Sequence, residues 1–307
     1  MTPIVRTTAR LCIAAAAAAA ALPAAPSYAA QNTAYVSPTG SGSQCTATQP
    51  CATVGVALTN ISPPLRVVCV NGAAPDASSQ SLFFSVIQVD IDCPQGAIGQ
   101  LSFPGSSVTV RIRHFGFTNN NNPTHISFTG GGTLILEDCY FEDAPDAALD
   151  LEPNSPLNVV IKNTRISNNG GGILLKPNGG GSIKATLDHV TITNNTAGGI
   201  RTDSTNGVVN LDVSDSEISH NGANGINAIG GTNQNIVSVK HSVIAQNGDA
   251  GLQSNGANAG ILVSATLLDQ NAAGATLVVG GGNLFSYGDN DVVGPIGSGF
   301  TGTATPH

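Results

Sequence analysis

The chain has 307 residues and a formal net charge of −8; only 10% of its residues are charged and 4% are aromatic, whereas glycine occurs 37 times. This composition excludes a helix-rich enzyme, and the acidic charge argues against nucleic-acid binding, which needs a basic surface. Abundant glycine and asparagine indicate many short strands joined by tight turns, because both residues tolerate left-handed backbone.

Residues 1–29 are predicted to be a signal peptide. Arg6 and Arg10 precede an apolar run from Leu11 to Leu22, and the small residues that follow predict cleavage after Ala29. The run is too short to cross a membrane as a helix. We therefore expect an exported protein, periplasmic or extracellular, with no membrane span after cleavage; loss of the two arginines changes the net charge from −8 to −10.

Five cysteines remain after cleavage: Cys45, Cys51, Cys69, Cys93 and Cys139. In an oxidising compartment the first two are predicted to close the short loop CTATQPC with a disulfide. The third and fourth are 24 residues apart, and the fifth is left over in a buried position. Metal binding by these cysteines is not expected, because they show no CxxC motif and no histidine partner.

A repeat of 24 to 26 residues fills most of the remaining chain. Its reference position is apolar, and an alternating apolar pair lies seven and five residues earlier, which predicts a half-buried strand. Each repeat predicts three short strands, and stacking successive repeats buries a continuous core. The reference residues are Phe117, Phe141, Ile166, Ile192, Ile218, Ile244 and Leu268.

Asparagine recurs three residues after the reference position, and glycine often precedes a second apolar residue further on. In a stack of coils these asparagines lie directly above one another, so each side-chain amide can donate to the next and satisfy a buried turn. We therefore predict an asparagine ladder. Its members are Asn169, Asn195, Asn221, Asn247 and Asn271.

Over roughly residues 65–295 this pattern resembles the right-handed parallel β-helix proteins of the pectate-lyase-like superfamily. The opening AYVSPTGSGSQCTATQPCATVGVAL also resembles secreted bacterial members of unassigned activity. The resemblance implies an all-β fold, a single right-handed parallel β-helix (solenoid) of about nine to ten coils, and right-handed crossovers are the rule for parallel strands. Cys69 and Cys93 continue the period upstream, so we expect them to stack on adjacent coils and to form a second disulfide.

The segments that flank the repeat are predicted to be its ends. Residues 30–64 form an expected N-terminal cap that includes the Cys45/Cys51 loop, because the end of a solenoid exposes unpaired strand edges. Within this segment ATVGVALT, residues 52–59, predicts a short helix. Residues 296–307 form a C-terminal tail.

One outward-facing column of the repeat is charged with alternating sign. The resemblance implies that this strand face carries substrate and ions, with acids holding Ca²⁺ and Arg or Lys acting on a sugar. The alternation itself favours a salt-bridge ladder that avoids like-charge stacking. The candidate catalytic residues are Arg113, Glu137, Lys162 and Asp188, and the candidate ligand-binding residues are Arg111, Tyr140, Asp212 and Lys240.

Two further groups suggest chemistry. In the acidic segment EDCYFEDAPDAALDLE, the residues Asp143, Asp146 and Asp150 could converge on Ca²⁺, the alternative being a solvated loop. His189, Asp215 and His241 share one turn column, where either acid–base work or hydrogen bonding to backbone suits them. No cofactor is firmly implied, and Ca²⁺ is the ion to consider.

Two functions follow from these patterns. The first is a non-catalytic envelope or extracellular binding or scaffold protein that presents a polysaccharide-type surface. The second is a polysaccharide lyase or glycoside hydrolase acting along the outward strand face. Short, uniform turns favour the first function, because the groove of a lyase needs long loops as its walls. Scarce aromatic residues argue against tight sugar binding. A subunit of a surface array is a third hypothesis.

Overall fold

The computed structural model describes residues 32–82, 86–118 and 122–304. Contacts divide the chain into Met1–Ala30 and Gln31–His307, and the signal peptide predicted at 1–29 lies outside the described residues. Within the described ranges, no helix has the length and apolar character that a membrane span requires.

The described chain is a parallel β-solenoid built from three columns of stacked strands. The first two columns belong to one 19-stranded sheet, and the third is a separate nine-stranded sheet. The first column contains β1 (Asn32–Val36), β2 (Leu65–Cys69), β4 (Val86–Ile98), β6 (Ser107–Phe117), β8 (Gly132–Glu137), β11 (Pro156–Lys162), β14 (Ser182–Asp188), β17 (Val208–Ser214), β20 (Asn235–Lys240), β23 (Ala259–Ser264), β26 (Asn283–Ser286) and β28 (Gly302–Thr303).

The other two columns complete each coil. The second begins with the ends of β4 and β6 and continues with β9 (Tyr140–Glu142), β12 (Arg165–Ser167), β15 (Thr191–Thr193), β18 (Glu217–Ser219), β21 (Val243–Ala245), β24 (Leu267–Asp269) and β27 (Asp291–Val293). The third contains β3 (Ser79–Ser81), β5 (Gln100–Phe103), β7 (Ile126–Phe128), β10 (Ala147–Leu151), β13 (Gly171–Leu175), β16 (Ile200–Asp203), β19 (Ile226–Ile229), β22 (Leu252–Asn255) and β25 (Thr276–Val279). The stack makes about nine turns.

The strand register confirms the predicted repeat. Phe117 pairs with Phe141, and the chain of partners continues through the predicted reference residues to Leu268 and then Val292. The reference side chains from Phe117 to Leu268 are fully buried. The rings of Phe117 and Phe141 stack with centroids 4.6 Å apart and planes 5° apart, so the core is continuous from coil to coil.

The asparagine ladder is also confirmed. Each of the first four side-chain amides donates to the side-chain oxygen of the next asparagine at 2.9 to 3.1 Å, and from Asn169 to Asn271 the five side chains are 1–2% exposed. Each amide also donates to a backbone carbonyl of the preceding coil. The backbone N–H at each position before Asn271 also donates to the next asparagine, and Ala144, where the pattern lacks asparagine, keeps this bond to Asn169.

A second ladder, made of hydroxyl groups, supports the turn between the first and second columns, here called the first turn. Ser216 accepts from the backbone N–H of Val190, and Ser242 accepts from that of Ser216. The same hydroxyls donate to backbone carbonyls two residues earlier. The sequence pattern contains this column of serines, but it was not predicted to be a structural ladder.

The segment before the repeat contains the predicted helix, α1 (Val54–Asn60), whose N-cap Thr53 accepts from the Val56 N–H. It also contains β1, which pairs in parallel with β2 and so adds a rung to the first column. The sequence had suggested that residues before 65 lie outside the stack. A capping role for residues 30–64 stays a prediction.

The structure contains both expected disulfides, Cys45–Cys51 and Cys69–Cys93. The second joins adjacent coils at the end of the β2–β4 pairing, as the repeat period predicted. Cys139 is free and buried, and burial raises the pKa of its thiol to about 12. Two disulfides favour an oxidising compartment.

Candidate functional site

The outward side chains of the first column, here called the strand face, hold the predicted charged residues. Arg111 binds Glu137 at 2.8 Å, and Lys162 lies 3.8 Å from Asp188. Arg113 contacts both Asp90 and Asp92 at 3.3 Å. The charges therefore pair between coils, as a salt-bridge ladder predicts, but partly along diagonals.

The remaining predicted ligand-binding residues are spread along the same side. Asp212 and Lys240 are exposed outward residues of β17 and β20. Tyr140 is 38% exposed and stands over Gly116 of the preceding coil, where a Cβ would overlap its ring. The charged residues from Arg111 to Asp188, and Tyr140, thus lie two or more coils before Lys240.

An apolar groove occupies the C-terminal half of the strand face and was missed from the sequence. It has a volume of about 230 Å³ and combines apolar side chains with neutral amides. Its lining includes Gln234, Ile236, Asn258, Gly260, Leu262, Asn283 and Phe285.

Gly260 creates this groove. It lies between Ile236 and Asn283 in the strand register, so one outward side chain is missing from the column. Leu262 and Phe285, neighbours in register, form the adjacent wall. Gly302 of β28 passes close to the outer edge of the Phe285 ring, where its missing Cβ would lie 3.0 Å from ring carbons.

The sequence carried a signal for this groove. Single apolar residues such as Ile135 and Val160 also occupy outward positions in earlier coils, but Ile236, Leu262 and Phe285 surround an outward glycine, Gly260. Apolar residues at outward positions mark a binding surface when they are contiguous. The signal is therefore a glycine at an outward position with apolar outward residues beside it.

The acidic segment was predicted to hold Ca²⁺ through Asp143, Asp146 and Asp150. In the described part of the chain, these aspartates do not form a group whose ligand atoms come within 4.8 Å of one another. Asp150 is half-buried on β10, and one of its oxygens, Oδ1, is buried without a hydrogen-bond partner. Burial, reinforced by Glu152 and Asp146, raises the pKa of Asp150 to about 6.

Replacing Asp150 with asparagine should therefore stabilise the protein at neutral pH. Because the pKa of Asp150 is raised in the folded state, the wild-type protein is most stable below pH 4, where this side chain is protonated. It loses stability as pH rises through 6 and the side chain ionises. We expect Asp150→Asn to gain about 1 kcal/mol at pH 7.5, a figure reduced for partial solvent screening. Urea unfolding at pH 4.5 and 7.5 measures this, and an equal effect at both pH values would contradict it.

The predicted row His189, Asp215 and His241 lies at the first turn. All three have left-handed backbone, with φ of 55°, 51° and 48°, and all three side chains are exposed. His189 Nδ1 lies 2.7 Å from Asp188 Oδ1. His114 occupies the equivalent turn position nearer the N-terminus, between Asp92 and Asp138, and was missed although it fits the same spacing.

Comparison with known proteins identifies the architecture. A family model described as a right handed beta helix region matches residues 99–212. The fold is a right-handed parallel β-helix. The solved structure titled "Crystal structure of pectate lyase Pel9A" is similar to this β-helix, with a TM-score of 0.55 and 13% identity over 90% of this chain and 79% of that chain. No curated protein matches the sequence.

Proposed function

We propose that this β-helix is an exported, non-catalytic protein that binds polysaccharide along its strand face. The groove around Gly260 is the observation that carries the proposal, because it places an aromatic ring among neutral amides. Sugar rings offer apolar C–H surfaces that pack on aromatic rings and hydroxyls that hydrogen-bond to amides. A neutral sugar residue therefore suits the groove better than an acidic one.

The size of the groove supports binding of one ring at a time. Sites for drug-sized ligands enclose about 300–1,000 Å³, whereas this groove has about 230 Å³. A polymer would place one ring in the groove and extend along the strand face, where Ser238 and Asp212 precede Leu262 in register. The affinity for a polymer would then come from the many contacts that its chain makes along the strand face, in addition to the one ring in the groove.

The ion pairs on the strand face support binding without cleavage. A catalytic base must be able to reach the proton that it removes, whereas Arg113 is held between two aspartates and Arg111 holds Glu137. A lyase or hydrolase is the competing function. Lys162 beside Asp188 at 3.8 Å is the observation that favours it, because an amine and a carboxylate could share acid–base roles.

Filling the groove tests the proposal. Gly260 has ordinary strand backbone, and an added Cβ would meet only the flexible tip of Ile236 at 3.3 Å. We expect Gly260→Val to fold normally and to lose at least about tenfold in affinity for a neutral polysaccharide. Thr196→Val, at an exposed position in the turn after β15 and off the strand face, is the control and should bind like the wild type.

The measurement is affinity electrophoresis against xylan, galactomannan, a β-glucan, polygalacturonate and alginate, with reducing ends and unsaturated products assayed in parallel. Retardation by a neutral polymer that Gly260→Val abolishes supports the proposal. Retardation by none of the polymers, or an equal loss in Thr196→Val, overturns it. Product release by the wild type that Lys162→Gln abolishes would replace it with the enzyme.

A further inference from the structure

A metal-ligating group lies where β14 ends at the first turn. Ligand atoms of Asp188, His189 and Asp215 all lie within 4.8 Å of one another, and no other such group of three exists among the described residues. We propose that these side chains bind a late first-row divalent cation such as Zn²⁺. The proposal is independent of polysaccharide binding in the groove.

The ligand chemistry selects the class of metal. Imidazole nitrogen and carboxylate oxygen are both ligands that Zn²⁺ and its neighbours in the first transition row accept, and this group offers one nitrogen and two oxygens. Calcium and magnesium prefer oxygen ligands alone, so this site differs from an all-carboxylate calcium site. Ligands of a tetrahedral Zn²⁺ lie about 3.3 Å apart, given bonds of about 2.0 Å, so small side-chain movements would close the group around an ion.

The backbone holds two of the ligands in place. His189 and Asp215 come from adjacent coils, and each has left-handed backbone. The N–H of His189 donates to Ser214 O, and that of Asp215 donates to Lys240 O, both at 3.2 Å. Because inter-coil hydrogen bonds fix both positions, little backbone ordering would accompany binding, which favours affinity.

The surroundings leave room for further ligands. A depression of about 500 Å³ is lined by His189 and Asp215 together with Glu217 and His241. Asp188 uses Oδ1 toward His189, whereas Lys162 lies 3.8 Å from its other oxygen, Oδ2. The lysine thus competes for the carboxylate without occupying the side that faces the imidazole.

Calorimetric titration of the purified, tag-free protein with Zn²⁺ tests the site. His189→Asn and Asp215→Asn suit the left-handed backbone, because Asn163 adopts it at the same turn position. His220→Asn is the matched control: His220 is an exposed histidine with φ of 55° at a neighbouring turn, where Asn194 takes the equivalent place. Circular dichroism verifies folding of each variant.

We expect one Zn²⁺ per chain, at least about tenfold weaker binding in both test variants, and unchanged binding in His220→Asn. Lys162→Gln should tighten binding, because it removes a competing charge. Excess Ca²⁺ should not displace Zn²⁺. Absence of a one-to-one site, or an equal loss in His220→Asn, would overturn the inference.

Discussion

Asn195→Ala is expected to lower the free energy of unfolding by about 3–5 kcal/mol. The Asn195 side chain is 1% exposed; its amide donates to Asn221 and to the Ile166 carbonyl, and its oxygen accepts from the backbone and side-chain amides of Asn169. Alanine removes all four hydrogen bonds and leaves the buried Asn169 backbone N–H without its acceptor; each lost bond costs about 0.5–1.5 kcal/mol and an unpaired buried group about 1–3 kcal/mol.

Its neighbour provides the control. Asn194 is exposed and has φ of 56°, which glycine adopts without strain, so Asn194→Gly should change stability by less than about 1 kcal/mol. Urea unfolding followed by circular dichroism compares the two variants. Similar losses in both would show that the ladder contributes little beyond the preference of the turn itself.

Removal of the Cys69–Cys93 disulfide is expected to lower the free energy of unfolding by about 3–4 kcal/mol. The bridge closes a loop with a sequence separation of 24 residues, against 6 for Cys45–Cys51. Loop-closure entropy grows with loop length, so the shorter bridge should contribute only about 2 kcal/mol. The double alanine variants of each pair, compared by guanidinium unfolding, measure the difference.

The two bridges serve as controls for each other, because both variants remove two sulfurs. A larger loss for the Cys45/Cys51 variant would contradict the loop-length argument and would mean that the segment before β2 contributes more to stability than the bond between β2 and β4. That result would also support the predicted capping role of residues 30–64.

The sequence predicted only some of the residues of the proposed metal site and of the groove. The row of His189, Asp215 and His241 followed from the repeat period, but Asp188 belongs to a different column and joins the group only through the bend of the first turn. Likewise, Phe285 lies near the end of the repeat. Its ring lines a groove only because Gly260, two residues before its register partner Leu262, lacks a side chain.

The sequence by itself determined the repeat, the buried columns, the asparagine ladder and the Cys69–Cys93 pair. In a stacked solenoid each residue meets the residue one period away, so comparing the chain with itself yields these contacts directly. Phe117 had to meet Phe141, and Asn195 had to meet Asn221, because no other register buries the apolar positions.

Only the tertiary structure decided the contacts between residues that are not one repeat period apart. Arg111 reaches Glu137 and Arg113 reaches Asp90 along diagonals, and β1 joins the stack across a long connection that contains α1. Long side chains and irregular turns have several partners within reach, and the choice among them depends on rotamers and turn geometry, which one-dimensional periodicity does not encode.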